Sequence, residues 1–175
     1  MTNTKKLVFT AACIALCVLL PMVVHSVPNA GSVILPMHIP VLICGLAAGW
    51  PFGLVCGLIG PLLSSLLTGM PPAPVLPGMM VECAVYGCVS GLMMQLVRTR
   101  KLYADLYISM ITAMVVGRIL AGLVKAFILT PGGLTLQAWA TAYFVTGIPG
   151  ILIQLAIVPT LVYALMKAKV IPERY

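Results

Sequence analysis

Long apolar runs, separated by short segments rich in Pro, Gly or basic residues, dominate the chain from about residue 7 onward. A helix needs about 20 apolar residues to cross a bilayer, and fewer where neighbouring helices cover it. Continuous runs of this length favour buried or membrane-spanning helices over the alternating pattern of half-buried strands. The pattern predicts six helices, at residues 7–24, 38–49, 52–68, 78–97, 104–129 and 138–166.

The second and third helices come from one stretch, residues 38–68, which is too long for a single span. Pro51 lacks a backbone N–H and disfavours helical geometry at Trp50, so the break is predicted within GWPFG at 49–53. Pro- and Gly-rich segments at 25–37, 69–77 and 130–137 are predicted to be loops.

The positions of the basic residues test the helix count. With six helices, every basic cluster lies on one side of the membrane, whereas the three Pro- and Gly-rich loops on the other side contain no Lys or Arg. Five helices would break this separation. The positive-inside rule then predicts that both termini are cytoplasmic. The basic residues concerned are Lys5, Lys6, Arg98, Arg100, Lys101, Lys167, Lys169 and Arg174.

Composition supports the same fold class. The chain is 62% hydrophobic and 7% charged, against roughly 25% charged residues in a soluble domain. We therefore expect an all-α, polytopic membrane protein with one membrane domain over residues 1–175. The net charge of +7 would suggest nucleic-acid binding in a soluble protein. Here the basic residues instead indicate which side of the membrane is cytoplasmic, and no nucleic-acid partner is expected.

Catalytic, metal and cofactor motifs are not found in the sequence. The six cysteines lie in apolar runs, form no CxxC pair and are interpreted as small packing residues. The sequence has no GxxxxGK[ST] loop, so the chain is not expected to use ATP by itself. It also has no HExxH or GxSxG motif. We predict that the protein is not an enzyme and has no metal site or cofactor.

Three ionisable residues lie inside predicted spans: Glu82, Arg118 and Lys125. Each costs about 2.5–3.5 kcal/mol at a helix centre on insertion scales, so each needs a partner or water. The predicted topology places Glu82 and Lys125 at matching depth in the outer half, with Arg118 deeper. Tyr86 follows Glu82 by one turn on the same helix face.

Two interpretations of these charges stay open. One is an internal salt bridge between Glu82 and either Arg118 or Lys125. The other is a solute pocket open to the outside, to which Asn29 and His38 of the first long loop add polar groups. A lone His at the start of a helix is more typical of an interfacial residue, and His38 has this interpretation as well.

Other polar and small residues also have two interpretations. Trp139 and Tyr143 fit either an aromatic belt or a stacking surface. The side chain of Gln154 is predicted to form a hydrogen bond between helices. Small residues four apart let helices approach closely, and Ala11 and Ala15 of the first helix could serve internal packing or a membrane partner.

The chain resembles the S component of energy-coupling factor (ECF) vitamin transporters. The resemblance rests on PMHIPVLICGLAAGWPFGLVCGLIGPLLSSLLTGMPP (36–72), MVECAVYGCVSGLM (80–93), YISMITAMVVGRILAGLV (107–124) and IPGILIQLAIVPTLVYAL (148–165). It implies a subunit of the bacterial cytoplasmic membrane that binds a micronutrient from the outer side. It also implies a membrane scaffold subunit and two cytoplasmic ATPases as partners. In that family an AxxxA signature in the first helix faces the scaffold, and Ala11 and Ala15 match it.

The sequence narrows the solute to a few chemical types but does not select one of them. The resemblance, the charges of Glu82, Arg118 and Lys125 and the hydroxyl of Tyr86 fit a pyridoxine-, queuosine-precursor- or pantothenate-type solute. Two alternatives remain: a stand-alone small-solute facilitator, which would transport without other proteins, and a non-binding assembly subunit of a membrane complex.

Overall fold

The computed structural model describes residues 1–24, 34–129, 141 and 147–172. In this part of the chain all regular structure is helical, as predicted. The helices are α1 (Asn3–Val24), α2 (His38–Ala48), α3 (Trp50–Thr68), α4 (Leu76–Leu96), α5 (Leu102–Val124) and α6 (Ile148–Lys167). A π-helical segment, Lys125–Leu129, continues α5. The predicted start of the sixth helix, residue 138, lies outside the described residues.

Five of these helices are long and apolar enough to cross a membrane: α1, α3, α4, α5 and α6. Helices suit this environment because they satisfy their own backbone hydrogen bonds where no water is available. The sixth, α2, has 11 residues, of which nine are buried. At 1.5 Å per residue it is about 16 Å long, so it is a short helix enclosed by its neighbours.

A single residue, Gly49, separates α2 from α3. Its backbone has φ 100° and ψ 170°, a conformation essentially limited to glycine. Trp50 and Pro51 belong to the first turn of α3, where the missing proline N–H is not needed. The break therefore lies at Gly49 and not at Pro51, because proline is compatible with a helix start.

Glycines bring α4 into direct backbone contact with α3. A Cβ on Gly87 would overlap the backbone of Gly53, and a Cβ on Gly57 would overlap that of Cys83. The absence of these side chains allows close approach, so that dispersion forces hold the helices together. This contact fixes α4, and with it Glu82, against the α2–α3 hairpin.

The two ends of the helix bundle differ in charge. Lys5, Lys6, Arg98, Arg100, Lys101, Lys167 and Lys169 lie at or next to helix ends on one side, which we call the basic end. We call the opposite side the neutral end. The beginning of the chain lies beside the end of α6, because Met1, Thr2 and Lys5 line the same groove of about 630 Å³ as Met166 and residues 169–172.

Candidate functional site

Glu82 is a buried acid near the neutral end of α4. It lies six residues after Leu76, the first residue of the helix, which is about 9 Å along the helix axis. Its carboxylate faces two nitrogen-bearing side chains, both within 4 Å. A charge at this depth requires such partners, because hydrocarbon cannot solvate it.

Arg118 of α5 provides the positive charge. Its Nε atom lies 3.7 Å from Oε1 of Glu82 and donates a 2.8 Å hydrogen bond to the hydroxyl of Tyr86. The arginine is only 2% exposed. Gly117 makes room for this arrangement, since a Cβ there would overlap the Tyr86 ring. The preceding glycine therefore lets the tyrosine lie directly against α5.

His38 completes the group from the start of α2. Its Nε2 atom lies 3.6 Å from Oε1 of Glu82, and its ring meets that of Tyr86 edge-on with centroids 5.0 Å apart. Because α2 is eight residues shorter than α3, its first residue lies about 12 Å below the neutral end of α3. The histidine is thus 1% exposed and does not lie at an interface.

These four side chains, His38, Glu82, Tyr86 and Arg118, form what we call the buried polar cluster. It joins α2, α4 and α5 and combines an acid, a guanidinium, a phenol and an imidazole. Neither ring nitrogen of His38 has a hydrogen-bond partner in the described part of the chain. The cluster therefore keeps unused hydrogen-bonding capacity in a position shielded from water.

The other predicted site residues are placed differently. Lys125 is partly buried at the start of the π-helical segment, seven residues or about 10 Å beyond Arg118 toward the neutral end. Glu82 therefore lies level with Arg118, and the prediction that it lies level with Lys125 is wrong. Asn29 lies outside the described residues, as do Trp139 and Tyr143.

Two features of this region were missed or misinterpreted from the sequence. The role of Gly117 in admitting the Tyr86 ring was not predicted, although this glycine directly precedes the buried Arg118. Gln154 of α6 is fully buried, and neither of its amide atoms has a hydrogen-bond partner among the residues described. The predicted interhelical hydrogen bond is therefore not found in this part of the chain. A lone amide in an apolar helix shows that a partner is needed, not what that partner is.

Helix α1 presents small residues outward. Ala11 and Ala15 are exposed, whereas Cys13 and Cys17 on the opposite face are 3% and 0% exposed. The exposed face also carries Leu7 and Val8. The structure thus leaves the AxxxA positions available at the surface of the bundle.

The family model for the substrate-specific component of ECF transporters matches residues 5–162. No curated protein and no solved structure matches the chain. The matched range includes the whole buried polar cluster and all but the last residues of the final helix. The protein therefore belongs to the family of substrate-specific components of ECF transporters, which are multi-pass membrane proteins that bind the transported substrate.

Proposed function

We propose that this protein is the subunit of a bacterial ECF importer that captures a water-soluble micronutrient from the outer side of the cytoplasmic membrane. The observation that carries this proposal is the buried polar cluster. Four polar side chains from three helices meet near the neutral end, and intramembrane ionisable groups that converge in this way typically mark a solute site. Pyridoxine-, queuosine-precursor- and pantothenate-type solutes fit its mixture of donors and acceptors.

The proposed topology has six crossings of a single membrane domain, with both termini in the cytoplasm. Two observations support it. The basic residues gather at one end of the bundle, as the positive-inside rule requires of the cytoplasmic side. The start of α1 and the end of α6 line the same groove, as expected for an even number of crossings. The neutral end would then face outward, with the buried polar cluster beneath it.

Transport would depend on partners: a membrane scaffold subunit and two cytoplasmic ATPases. We propose that α1 contacts the scaffold through Ala11 and Ala15. Small exposed side chains four residues apart allow a second helix to approach closely, and these two alanines face away from the bundle.

The first test is a thermal-shift screen of the purified protein in detergent. The panel contains pyridoxine, pantothenate, 7-deazaguanine, riboflavin, thiamine, biotin and folate. A compound at 1,000 times its dissociation constant adds about 4.1 kcal/mol to stability, which gives a clear shift. The binding proposal requires that at least one compound gives such a shift. The absence of a shift with every compound would favour the assembly-subunit alternative.

Two further measurements separate the remaining alternatives. Glu82→Gln is expected to lower the affinity for the identified compound at least tenfold, about 1.4 kcal/mol. Unchanged affinity with lower stability would show that the glutamate serves only as an ion-pair partner. Flux of the compound into liposomes that contain this protein alone would show a facilitator and contradict the importer proposal.

A further inference from the structure

In the described part of the chain, buried polar side chains toward the basic end differ from several of those toward the neutral end in their hydrogen bonding. Toward the basic end, four such side chains have hydrogen-bond partners: Thr10, Ser90, Asp105 and Ser109. The buried side-chain polar atoms that lack a hydrogen-bond partner in the described residues belong to His38, Ser64 and Gln154. All three residues lie in the half of the bundle toward the neutral end. Among the residues that the structure describes, the buried polar side chains toward the basic end therefore have hydrogen-bond partners, whereas some toward the neutral end have none.

Of these three residues, Gln154 has both a donor and an acceptor group without a hydrogen-bond partner in the described part of the chain, and it lies in an apolar helix. Its side chain is 0% exposed, and both its carbonyl oxygen and its NH₂ group lack partners among the described residues. A buried amide that makes no hydrogen bond is destabilising, because it has given up its bonds to water without replacement. Such a group lowers the stability of the folded protein unless a bound molecule supplies the missing hydrogen bonds.

Position links Gln154 to the buried polar cluster. It lies six residues after Ile148, the start of α6, and Glu82 lies six residues after the start of α4. Both are thus about 9 Å from the neutral ends of their helices. The described contacts of α6 are mainly with α2 and α5, the helices that carry His38 and Arg118. Gln154 belongs to the buried stripe of α6, which also contains Gly150 and Val158.

Resting on the proposed function, we infer that Gln154 is a specificity-determining residue of the solute site, and that the solute is a neutral heterocycle with a lactam edge. A primary amide presents a carbonyl acceptor beside an N–H donor, and a lactam presents the complementary pair. Two parallel hydrogen bonds can then form. Neutrality follows from the cluster, where Glu82 and Arg118 cancel each other's charge and a buried anion would add an uncompensated one.

This inference separates the three solute types. The 7-deazaguanine ring of a queuosine-precursor-type base is a neutral lactam. Pyridoxine has hydroxyl groups and a ring nitrogen but no lactam. Pantothenate carries a carboxylate, and its open-chain amide points its N–H and carbonyl groups in opposite directions. The inference therefore selects the deazaguanine class.

The test is a cycle that removes one group from the protein and one from the ligand. The probes are 7-deazaguanine and 2-amino-7-deazapurine, which lacks the 6-carbonyl, and their dissociation constants are measured by calorimetry in detergent. Wild-type protein is expected to prefer 7-deazaguanine at least tenfold. Gln154→Leu is expected to weaken binding of 7-deazaguanine at least tenfold and to reduce the preference to less than threefold. Gln95→Leu, the same change at an exposed position of α4, is the matched control and should alter neither value.

A second measurement is independent of ligand. If the amide is unpaired without solute, Gln154→Leu leaves the melting temperature of the solute-free protein unchanged or raises it. A lower melting temperature would show that the amide is bonded within the protein and would overturn the inference. If Gln154→Leu does not fold, the preference of the wild-type protein between the two probes still tests whether the solute is recognised through its lactam edge.

Failure of this inference is distinguishable from failure of the proposed function. Binding of pyridoxine or pantothenate without binding of 7-deazaguanine would overturn the lactam assignment and leave a solute-binding subunit. Equal affinity for the two probes would do the same. The absence of binding by every compound in the vitamin panel and by both probes would contradict both proposals.

Discussion

Breaking the ion pair between Glu82 and Arg118 should destabilise the protein far more than removing both charges together. The two groups lie 3.7 Å apart, and the arginine is 2% exposed. Glu82→Gln leaves a buried guanidinium without its counter-charge, and Arg118→Met leaves a buried carboxylate. Removing one partner of a buried pair costs about 3–5 kcal/mol, whereas replacing both is often nearly neutral.

The assay is thermal unfolding of the two single variants and the double variant in the same detergent. For a chain of this length about 1 kcal/mol shifts the melting temperature by roughly 2–4 °C, so each single variant should lose roughly 6–20 °C. The double variant should be more stable than either single variant. This order is expected because the double variant contains neither buried charge.

A second cycle provides the control. Asp105 is also a buried acid, but it accepts hydrogen bonds from Thr99 and lies 13 residues, about 20 Å, from Arg118 along α5. Effects of Asp105→Asn and Arg118→Met should add to within about 0.5 kcal/mol, as expected for distant sites. Additivity in the Glu82–Arg118 cycle as well would refute the charge-pair reasoning.

Three further changes test the packing and the proposed partner surface. Tyr86→Phe removes the acceptor for the buried guanidinium and should cost about 1.5–3 kcal/mol by thermal unfolding, whereas Tyr163→Phe at a half-exposed position should cost less than about 0.5 kcal/mol. Gly57→Ala places a Cβ into the backbone of α4 and should cost about 1–3 kcal/mol or more, seen as a lower melting temperature or a loss of folded protein on gel filtration. Ala15→Leu should reduce co-purification with the scaffold subunit at least tenfold without changing solute affinity, whereas Ala156→Leu, also exposed, should leave co-purification unchanged; equal effects would contradict a partner surface on α1.

The helical class and most helix positions could be predicted from the amino-acid pattern alone. Long apolar runs bounded by Pro, Gly and basic residues allow little else in a membrane, because the backbone must satisfy its own hydrogen bonds there. The acid Glu82 and the cation Arg118 were identified for the same reason, since a charge within an apolar run is costly and needs a partner. Local chemistry of this kind can be read without knowledge of the packing.

Which polar groups contact one another depends on how the helices pack and could not be predicted from the sequence. The depth of Glu82 and Arg118 in the bundle, and hence their pairing, depends on where α4 begins relative to α5. Arg118 and Lys125 lie on one face of α5 two turns apart, so a shift of two turns between the helices would place Lys125 beside Glu82 instead. His38 reaches Glu82 because α2 is short and begins below the neutral end, a depth that helix count alone does not give. Gln154 differs again, because its missing partner is a property of the surrounding side chains and has no signature in the sequence. Hydropathy fixes what enters the membrane, whereas helix length and close backbone contact fix which polar groups share a depth.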